Sequence, residues 1–424
     1  MRFGTDGIRG RAGEDVTVEL AYRLGRAVAS VLGSPVVVGY DTRESSPELA
    51  AAVLAGAADG GVATTNLGVF TTPGVAVVAR QRDAVGVVVS ASHNPFRDNG
   101  LKVLGRGGAK LDRTTEAALE AALEAAPAPT DARPLPPADA AAEGQYVEHL
   151  RRLVPLAPVA RRVVVDCANG AASHVAPALL AATGATVVAL HDAPDGRNIN
   201  EGCGSTAPGD LAAAVRAHGA DLGFALDGDA DRLICVDEAG AVRDGDDLLV
   251  LFALDRHERG LLGGGLAVTS MSNLGLWRAL GAAGVEVVET AVGDRHVVAA
   301  LEERGWRVGG EQSGHLIFND LAPTGDGLLT ALLVLDLVER RGPLGALARR
   351  SWARVPQALV NVAREEFDEA RVRDLEAELA AAHDVAPADR RLVVRPSGTE
   401  PVVRVMVESV DGGFVEEFVA RLRA

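Results

Sequence analysis

Apolar positions along this chain cluster into short β-branched runs, each followed by a polar loop and then an Ala/Leu-rich stretch. The segments "SPVVVGYDTRESS" (34–46), "AVGVVVSASHNP" (84–95), "RRVVVDCANGAAS" (161–173), "DLGFALDGDADR" (221–232) and "GGLAVTSMSN" (264–273) all follow this order. An unbroken apolar run predicts a strand covered on both faces, and strands alternating with helices predict mainly parallel sheets. Ligands of such sheets bind outside the carboxyl ends of the strands. Every polar loop quoted lies on that side.

Punctuation divides the chain. "APAPTDARPLPP" (126–137) holds five prolines and no helical or strand period, which predicts an extended linker closing a first domain. A second α/β unit runs from about Tyr146 past Asp231, and a third from about Arg243 through the apolar helix "GLLTALLVLDLVERR" (327–341). From about Trp352 the pattern changes to "PQALVNVAR", an acidic helix, "RLVVRPSGTEP", "VVRVMVESV" and a last short helix, an α+β unit with an antiparallel sheet. The expected fold is α/β: three similar domains with mainly parallel mixed sheets (1–138, 139–241, 242–349) and a C-terminal α+β domain (350–424). No solenoid-type repeat is present.

Composition narrows the function. With 424 residues, 48% hydrophobic, the chain can bury several cores. It has no signal-peptide stretch at its start and no uncharged apolar run near the ~20 residues of a spanning helix, so the expected address is the cytoplasm. Cys167, Cys203 and Cys235 are scattered without a C-x-x-C pair, which indicates neither a disulfide framework nor a zinc site. A net charge of −16 argues against nucleic acid or anionic membrane as partner. A small anion would need a local cluster of cations inside this acidic shell. Only Lys102 and Lys110 are lysines among 42 basic residues.

Five loops carry candidate chemistry. In "SASHNP" an apolar strand ends in Ser90, Ser92, His93 and Asn94 before Pro95, which reads as a turn or as a reactive serine. It is not a G-x-S-x-G elbow, and His93 is badly placed to deprotonate Ser92 in the manner of a triad. A serine that carries a phosphoryl group fits instead, and such a group needs a cation. "DGDADR" supplies the holder: Asp227, Asp229 and Asp231 on one tight loop repel one another unless a cation sits among them, and Mg²⁺ is an oxygen-ligated ion that shares its sphere with phosphate. In "GGEQSGH" (309–315), Glu311, Ser313 and His315 suit sugar hydroxyls, or form a glycine-rich turn. "RPSGTEPVVRV" (395–405) is the anion candidate: Arg395 can fork onto phosphate, Ser397 and Thr399 offer hydroxyls, Gly398 lets backbone N–H groups turn inward, and Arg404 adds a cation. "GTDGIRG" (4–10) places Arg9 to meet a phosphate or cap a helix, and "GDR" (293–295) is too short to decide.

These motifs, in this order and across essentially the whole chain, resemble the α-D-phosphohexomutase family. The resemblance implies a heart-shaped molecule of four domains, each giving one loop to a central cleft. It implies phosphoserine at Ser92, one Mg²⁺ on Ser92, Asp227, Asp229 and Asp231, a sugar loop at "GEQSGH" and a phosphate clamp at "RPSGT". "NINEGCGST" (198–206), "TTPGVA", "VGDR" and "TGDGLLTALLVL" are similar to the branch of the family that works on glucosamine phosphates, although Ala230, His296 and Ala207 stand where glycine, tyrosine and histidine are common there. Phospho-Ser92 would give its phosphoryl to a hexosamine monophosphate, and the bisphosphate would turn and return the other phosphate. Lys102 is the first candidate base, since an amine can lose a proton where Arg cannot, and His315, with an ordinary value near 6.5, the second. Arg9 and His93 complete the catalytic candidates and Arg232 the substrate-binding ones. A hexose bisphosphate such as glucosamine 1,6-bisphosphate is the expected activator. A kinase or autophosphorylation would load Ser92, and a homodimer is open. A mannose- or glucose-phosphate mutase is the runner-up. A phosphatase with Asp227 as nucleophile and Asp229 as acid is the alternative of a different class, disfavoured because both lysines precede the aspartates.

Overall fold

The computed structural model describes residues 4, 7–131, 133–396 and 401–423. The first sheet comprises β1 (Ile8–Arg11), β2 (Val36–Tyr40), β3 (Thr64–Val69), β4 (Val85–Val89) and β5 (Asp98–Leu104), in the order β1-β5-β4-β2-β3. The second holds β6 (Arg162–Asp166), β7 (Thr186–Leu190), β8 (Leu222–Leu226), β9 (Leu233–Val236) and β10 (Val242–Arg243), in the order β10-β9-β8-β6-β7. The third has β11 (Gly265–Thr269), β12 (Glu286–Thr290), β13 (Val308–Gly310) and β14 (Leu316–Phe318), in the order β12-β11-β13-β14. The fourth, antiparallel, is β15 (Gln357–Ala363), β16 (Arg390–Pro396) and β17 (Val402–Ser409), in the order β15-β17-β16.

The first three sheets repeat one plan. Parallel neighbours fill the centre, as β3-β2-β4, β7-β6-β8 and β12-β11-β13, and the last of these central strands is followed by an antiparallel partner: β5, β9 or β14. Here the sequence pattern misleads at two of its five segments. A helix is expected after 84–95 and 221–232, but the chain returns as β5 and β9. Their loops are too short for a crossover, which takes roughly a dozen residues or more. Turn bonds such as Asn94 N–H to Ala91 O (3.1 Å) and Ala230 N–H to Asp227 O (3.0 Å) reverse the chain at once. The consequence is functional: the loops with Ser92, Asp227–Asp231 and Glu311–His315 occupy the same topological slot in three sheets. The fourth sheet offers its β16–β17 connection.

The central strands β2, β4, β6, β8 and β11 are buried along their length save Arg162 at the start of β6, as their apolar runs require. Some of the helices between them start on side-chain caps. Thr17 accepts from Leu20 N–H before α1 (Val18–Leu32), and Thr71 accepts from Gly74 N–H before α3 (Thr72–Gln81), whereas α2 (Ser46–Asp59) starts at Ser45 without such a bond. The described residues after Ala125 run without helix or strand to Asp139, as the prolines predict, and are tied to the first domain by Asn66 Nδ2 donating to Pro136 O at 2.7 Å.

One apolar core runs from Val37 and Phe70 in the first domain through Tyr146, Leu179 and Phe224 in the second to Leu248, Val308 and Leu332 in the third. The fourth domain closes its own core around Val405, Phe414 and Phe418. No helix among the described residues is long and apolar enough to cross a membrane. Separate cores predict separate opening. Native-state amide exchange is expected to show β15–β17 opening at a lower free energy than β4 and β8, and a single common opening energy contradicts this.

Candidate active site

β4 ends three residues before Ser92, and the turn that carries this serine is held from three directions. Ser92 lies at φ 53°, in the left-handed region, which costs a non-glycine residue roughly 1–2 kcal/mol. Its own N–H donates to Ser90 Oγ at 2.9 Å. Arg43 Nη2 donates to the carbonyls of Ser92 (3.2 Å) and Asn94 (2.6 Å), and Asn200 Nδ2 donates to the same two oxygens at 2.9 and 3.1 Å. Arg43 is wholly buried and paired with Asp41, which also accepts from Ser46 Oγ at 2.8 Å. A buried ion pair needs further hydrogen bonds to offset its desolvation, and here Nη2 of Arg43 has them while Nε has none among the described residues. Ser92 Oγ thereby sits 2.6 Å from Asp227 Oδ2 and 3.2 Å from His93 Nδ1.

The second loop brings Asp227, Asp229 and Asp231 together, each offering a carboxylate oxygen within 4.8 Å of the others. Asp229 Oδ1 and Asp231 Oδ1 are buried and accept no hydrogen bond among the described residues. Burial, then the charges of Asp231 and Asp229, push Asp227 well above the usual carboxylate range. Burial also opposes ionisation of Asp229 and Asp231, but Lys102 beside both, with Thr72 at Asp229 and His315 and Arg232 at Asp231, leaves both below the usual value. Orphaned buried oxygens and mutually repelling carboxylates are what a hard, oxygen-seeking dication relieves, so these residues fit Mg²⁺. Gly228 is required there: a Cβ would lie 2.5 Å from Ser92 O. Ala230 sits at φ 59°, which is the physical reason glycine is common at that place.

Both lysines of the chain reach this region. Lys102 Nζ lies 2.5 Å from Asp229 Oδ2 and 3.6 Å from Asp231 Oδ2. Lys110 Nζ lies 2.5 Å from Asp294 Oδ1, and Asp294 Oδ2 is 3.4 Å from His315 Nε2, whose Nδ1 is 3.6 Å from Asp231 Oδ1. Arg295 pairs with Glu116. "GDR", too short to interpret in the sequence, is the seam between the third and first domains. Burial alone would lower His315, but Asp231, Asp294 and Glu311 hold it up at about 9. The expectation of an ordinary value near 6.5 is therefore corrected: His315 is a cation at neutral pH. His93 moves the other way, to about 4, through burial and then Arg232 and Arg9, and is neutral.

The remaining candidates are more dispersed. Glu311 Oε1 accepts from Gly293 N–H at 3.0 Å, and Ser313 is exposed. Arg9 lies on β1 opposite Gly100, not at a helix end. Arg232 donates its N–H to Asp227 Oδ1 at 3.2 Å. Arg395 and Arg404 face each other across β16 and β17, an arrangement of like charges that an anion relieves. Arg395 Nε is buried without a hydrogen bond among the described residues, and burial, then Arg404, lower its value while Glu311 raises it. Ser397, Gly398 and Thr399 lie outside the described residues. Sequence reasoning missed Arg43, Asn200, Thr72 and Asp294. Each lay in or beside a quoted segment, with nothing local to mark its partner.

The sequence matches the phosphoglucomutase/phosphomannomutase family along its length: α/β/α domain I over residues 1–129, domain II over 144–240, domain III over 244–355 and the C-terminal domain over 359–424. It is 47% identical to a phosphoglucosamine mutase of Thermobifida fusca, covering 99% of this chain and 96% of that protein. Others at 45–47% identity bear the same name. A phosphoglucomutase/phosphomannomutase family protein of Burkholderia thailandensis has a similar structure, with a TM-score of 0.81 at 26% identity over 99% of this chain and 96% of that one. The fold extends to an Aspergillus fumigatus N-acetylphosphoglucosamine mutase solved with GlcNAc-6P and magnesium, with a TM-score of 0.68 at 18% identity over 99% of this chain and 94% of that one.

Two outcomes follow from the cage. Because burial and the neighbouring carboxylates raise Asp227, Mg²⁺ binding releases the proton it carries below that raised value, and affinity rises with pH until the value is passed. Calorimetry in buffers of different ionisation enthalpy should show this release, and a pH-independent affinity contradicts it. Gly228→Ala forces Ser92 O aside and should lower turnover by about 10²-fold through misplacement while the chain stays folded. Unchanged turnover contradicts the contact.

Proposed function

Since the chain belongs to the phosphoglucomutase/phosphomannomutase family, we propose that it interconverts glucosamine 6-phosphate and glucosamine 1-phosphate through a phosphoserine at Ser92. The observation that carries the reading is the Ser92 hydroxyl at 2.6 Å from Asp227, at the mouth of a three-carboxylate cage. The amino-sugar assignment is supported by full-length relatives at 45–47% identity. The product would feed UDP-N-acetylglucosamine and cell-wall precursors in the cytoplasm.

Ser92, Asp227, Asp229 and Asp231 would hold the Mg²⁺, which when bound offsets the charge of the transferring phosphoryl oxygens. Ser92 gives its phosphoryl to the free hydroxyl of the sugar phosphate and takes the other phosphate back from the bisphosphate. Arg395 and Arg404, with Ser397, Gly398 and Thr399, hold the phosphate that is not reacting, so either end of the sugar can face Ser92. Glu311 and Ser313 take ring hydroxyls. Arg9, Arg232 and protonated His315 gather positive charge around the moving group. A cationic His315 cannot begin as the base, and Lys102 stays the first candidate for that role. Lys102, with Nζ 2.5 Å from Asp229 Oδ2 and 3.6 Å from Asp231 Oδ2, would accept the proton of the substrate hydroxyl as its free amine. We keep the domain division at 138, 241 and 349 as part of this proposal, with a hexose bisphosphate as activator. A kinase or autophosphorylation would supply the first serine phosphate, and assembly as a homodimer stays open.

The phosphatase alternative loses ground on geometry. The Oδ2 of Asp227, its required nucleophile, is covered by the Ser92 hydroxyl. The order of lysines along the chain is no argument, because Lys102 reaches Asp229 in space.

Comparison of kcat/KM for glucosamine, glucose and mannose 6-phosphates should favour glucosamine, and a preference for mannose or glucose overturns the sugar assignment. Lys102→Arg should cut kcat by about 10²- to 10⁴-fold with KM little changed. Full turnover of that variant removes Lys102 as the base.

A further inference from the structure

Outside the aspartate cage the described residues contain one other group of metal-ligating side chains: Asp166, His191 and Cys203, whose donor atoms lie within 4.8 Å of one another. We propose that these three residues form a second metal site, for a thiophilic divalent ion of the zinc class. Their spacing in the chain gives no hint of it. Asp166 ends β6 and His191 follows β7, so two parallel neighbours deliver their next residues side by side, and the following loop returns Cys203 to them.

Three observations support the assignment. First, His191 Nδ1 is buried and makes no hydrogen bond among the described residues, though it lies 3.1 Å from Asp166 Oδ1. Second, its other ring nitrogen, Nε2, has the exposed Asp210 carboxylate 3.6 Å away, close enough to swing into the hydrogen bond that backs metal-bound histidines. Third, Asp166 is oriented by Ala168 N–H on Oδ1 (2.9 Å) and Gly204 N–H on Oδ2 (2.9 Å), and each oxygen keeps a lone pair. Cys203 and Asp166 are fully buried. On binding, the Cys203 S–H proton leaves to solvent as the sulfur–metal bond forms. One thiolate, one carboxylate and a neutral imidazole then cancel the ion's two charges inside the protein. The sulfur selects against Mg²⁺, so the two sites take different ions.

The site supports the reaction centre. Asn169 N–H donates to His191 O at 2.6 Å, and Asn200 N–H to Ala168 O at 2.9 Å. The same Asn200 clasps the Ser92 carbonyl through its side chain. An ion at the Asp166 site stiffens the loop that delivers Asn200.

Co²⁺ titration of the full chain, saturated with Mg²⁺, is the test. The expected result is one ion per chain with a near-ultraviolet sulfur-to-cobalt band and intense visible bands, reversed by Zn²⁺. Cys203→Ser should abolish the sulfur band, whereas Cys167→Ser and Cys235→Ser keep it. Asp210→Asn, at an exposed carboxylate, should weaken binding by about tenfold or more. If Cys203→Ser does not fold, His191→Gln, at a partly exposed ring, must lose the band in its place. Absence of a sulfur band in the parent chain, or its persistence in either variant, overturns the site.

Discussion

Three carboxylates buried on one loop are the constraint to which the rest of the molecule answers. Left alone, Asp227, Asp229 and Asp231 could not all stay ionised away from water. Lys102 from the first domain pairs with two of them and His315 from the third lies beside one. Thr72 from the first domain donates to Asp229, and the Ser92 hydroxyl to Asp227. The charge that would destabilise a lone loop thus holds three domains together, and it draws to one point the groups needed to move a phosphoryl group.

The fold makes this convergence cheap. Three sheets of one plan place their reactive loops in the same slot, after the last parallel strand and before an antiparallel return. A shared core fixes those three loops relative to one another, while the fourth domain, with its own core, meets the sugar loop where Gln312 Nε2 lies 3.5 Å from Gln357 Oε1. A rigid reaction centre and a separately cored phosphate clamp suit a substrate that must turn end for end.

What the sequence revealed and what it hid divide along a physical line. Ser92 and the aspartates were legible because strand, turn and chemistry are contiguous, and so was the linker, because proline acts locally. The returns after β4 and β8 were not, since an apolar run does not say whether the chain comes back as helix or strand. Arg43 and Asn200 were hidden because both bind the Ser92 carbonyl across wide separations in sequence. The proton on His315 was hidden for the same reason: its value is set by Asp231 and Asp294, from two other segments.

The central claim is that Ser92, pinned against the aspartate cage, is where the phosphoryl group resides between turnovers. Peptide-resolved mass spectrometry of the purified chain tests it directly. The mass of one phosphoryl group is predicted on the Ser92 peptide, lost when excess glucosamine 6-phosphate is added and regained from the bisphosphate. A chain that turns over substrate while this peptide stays unmodified throughout, or carries a phosphate that substrate never removes, contradicts the account.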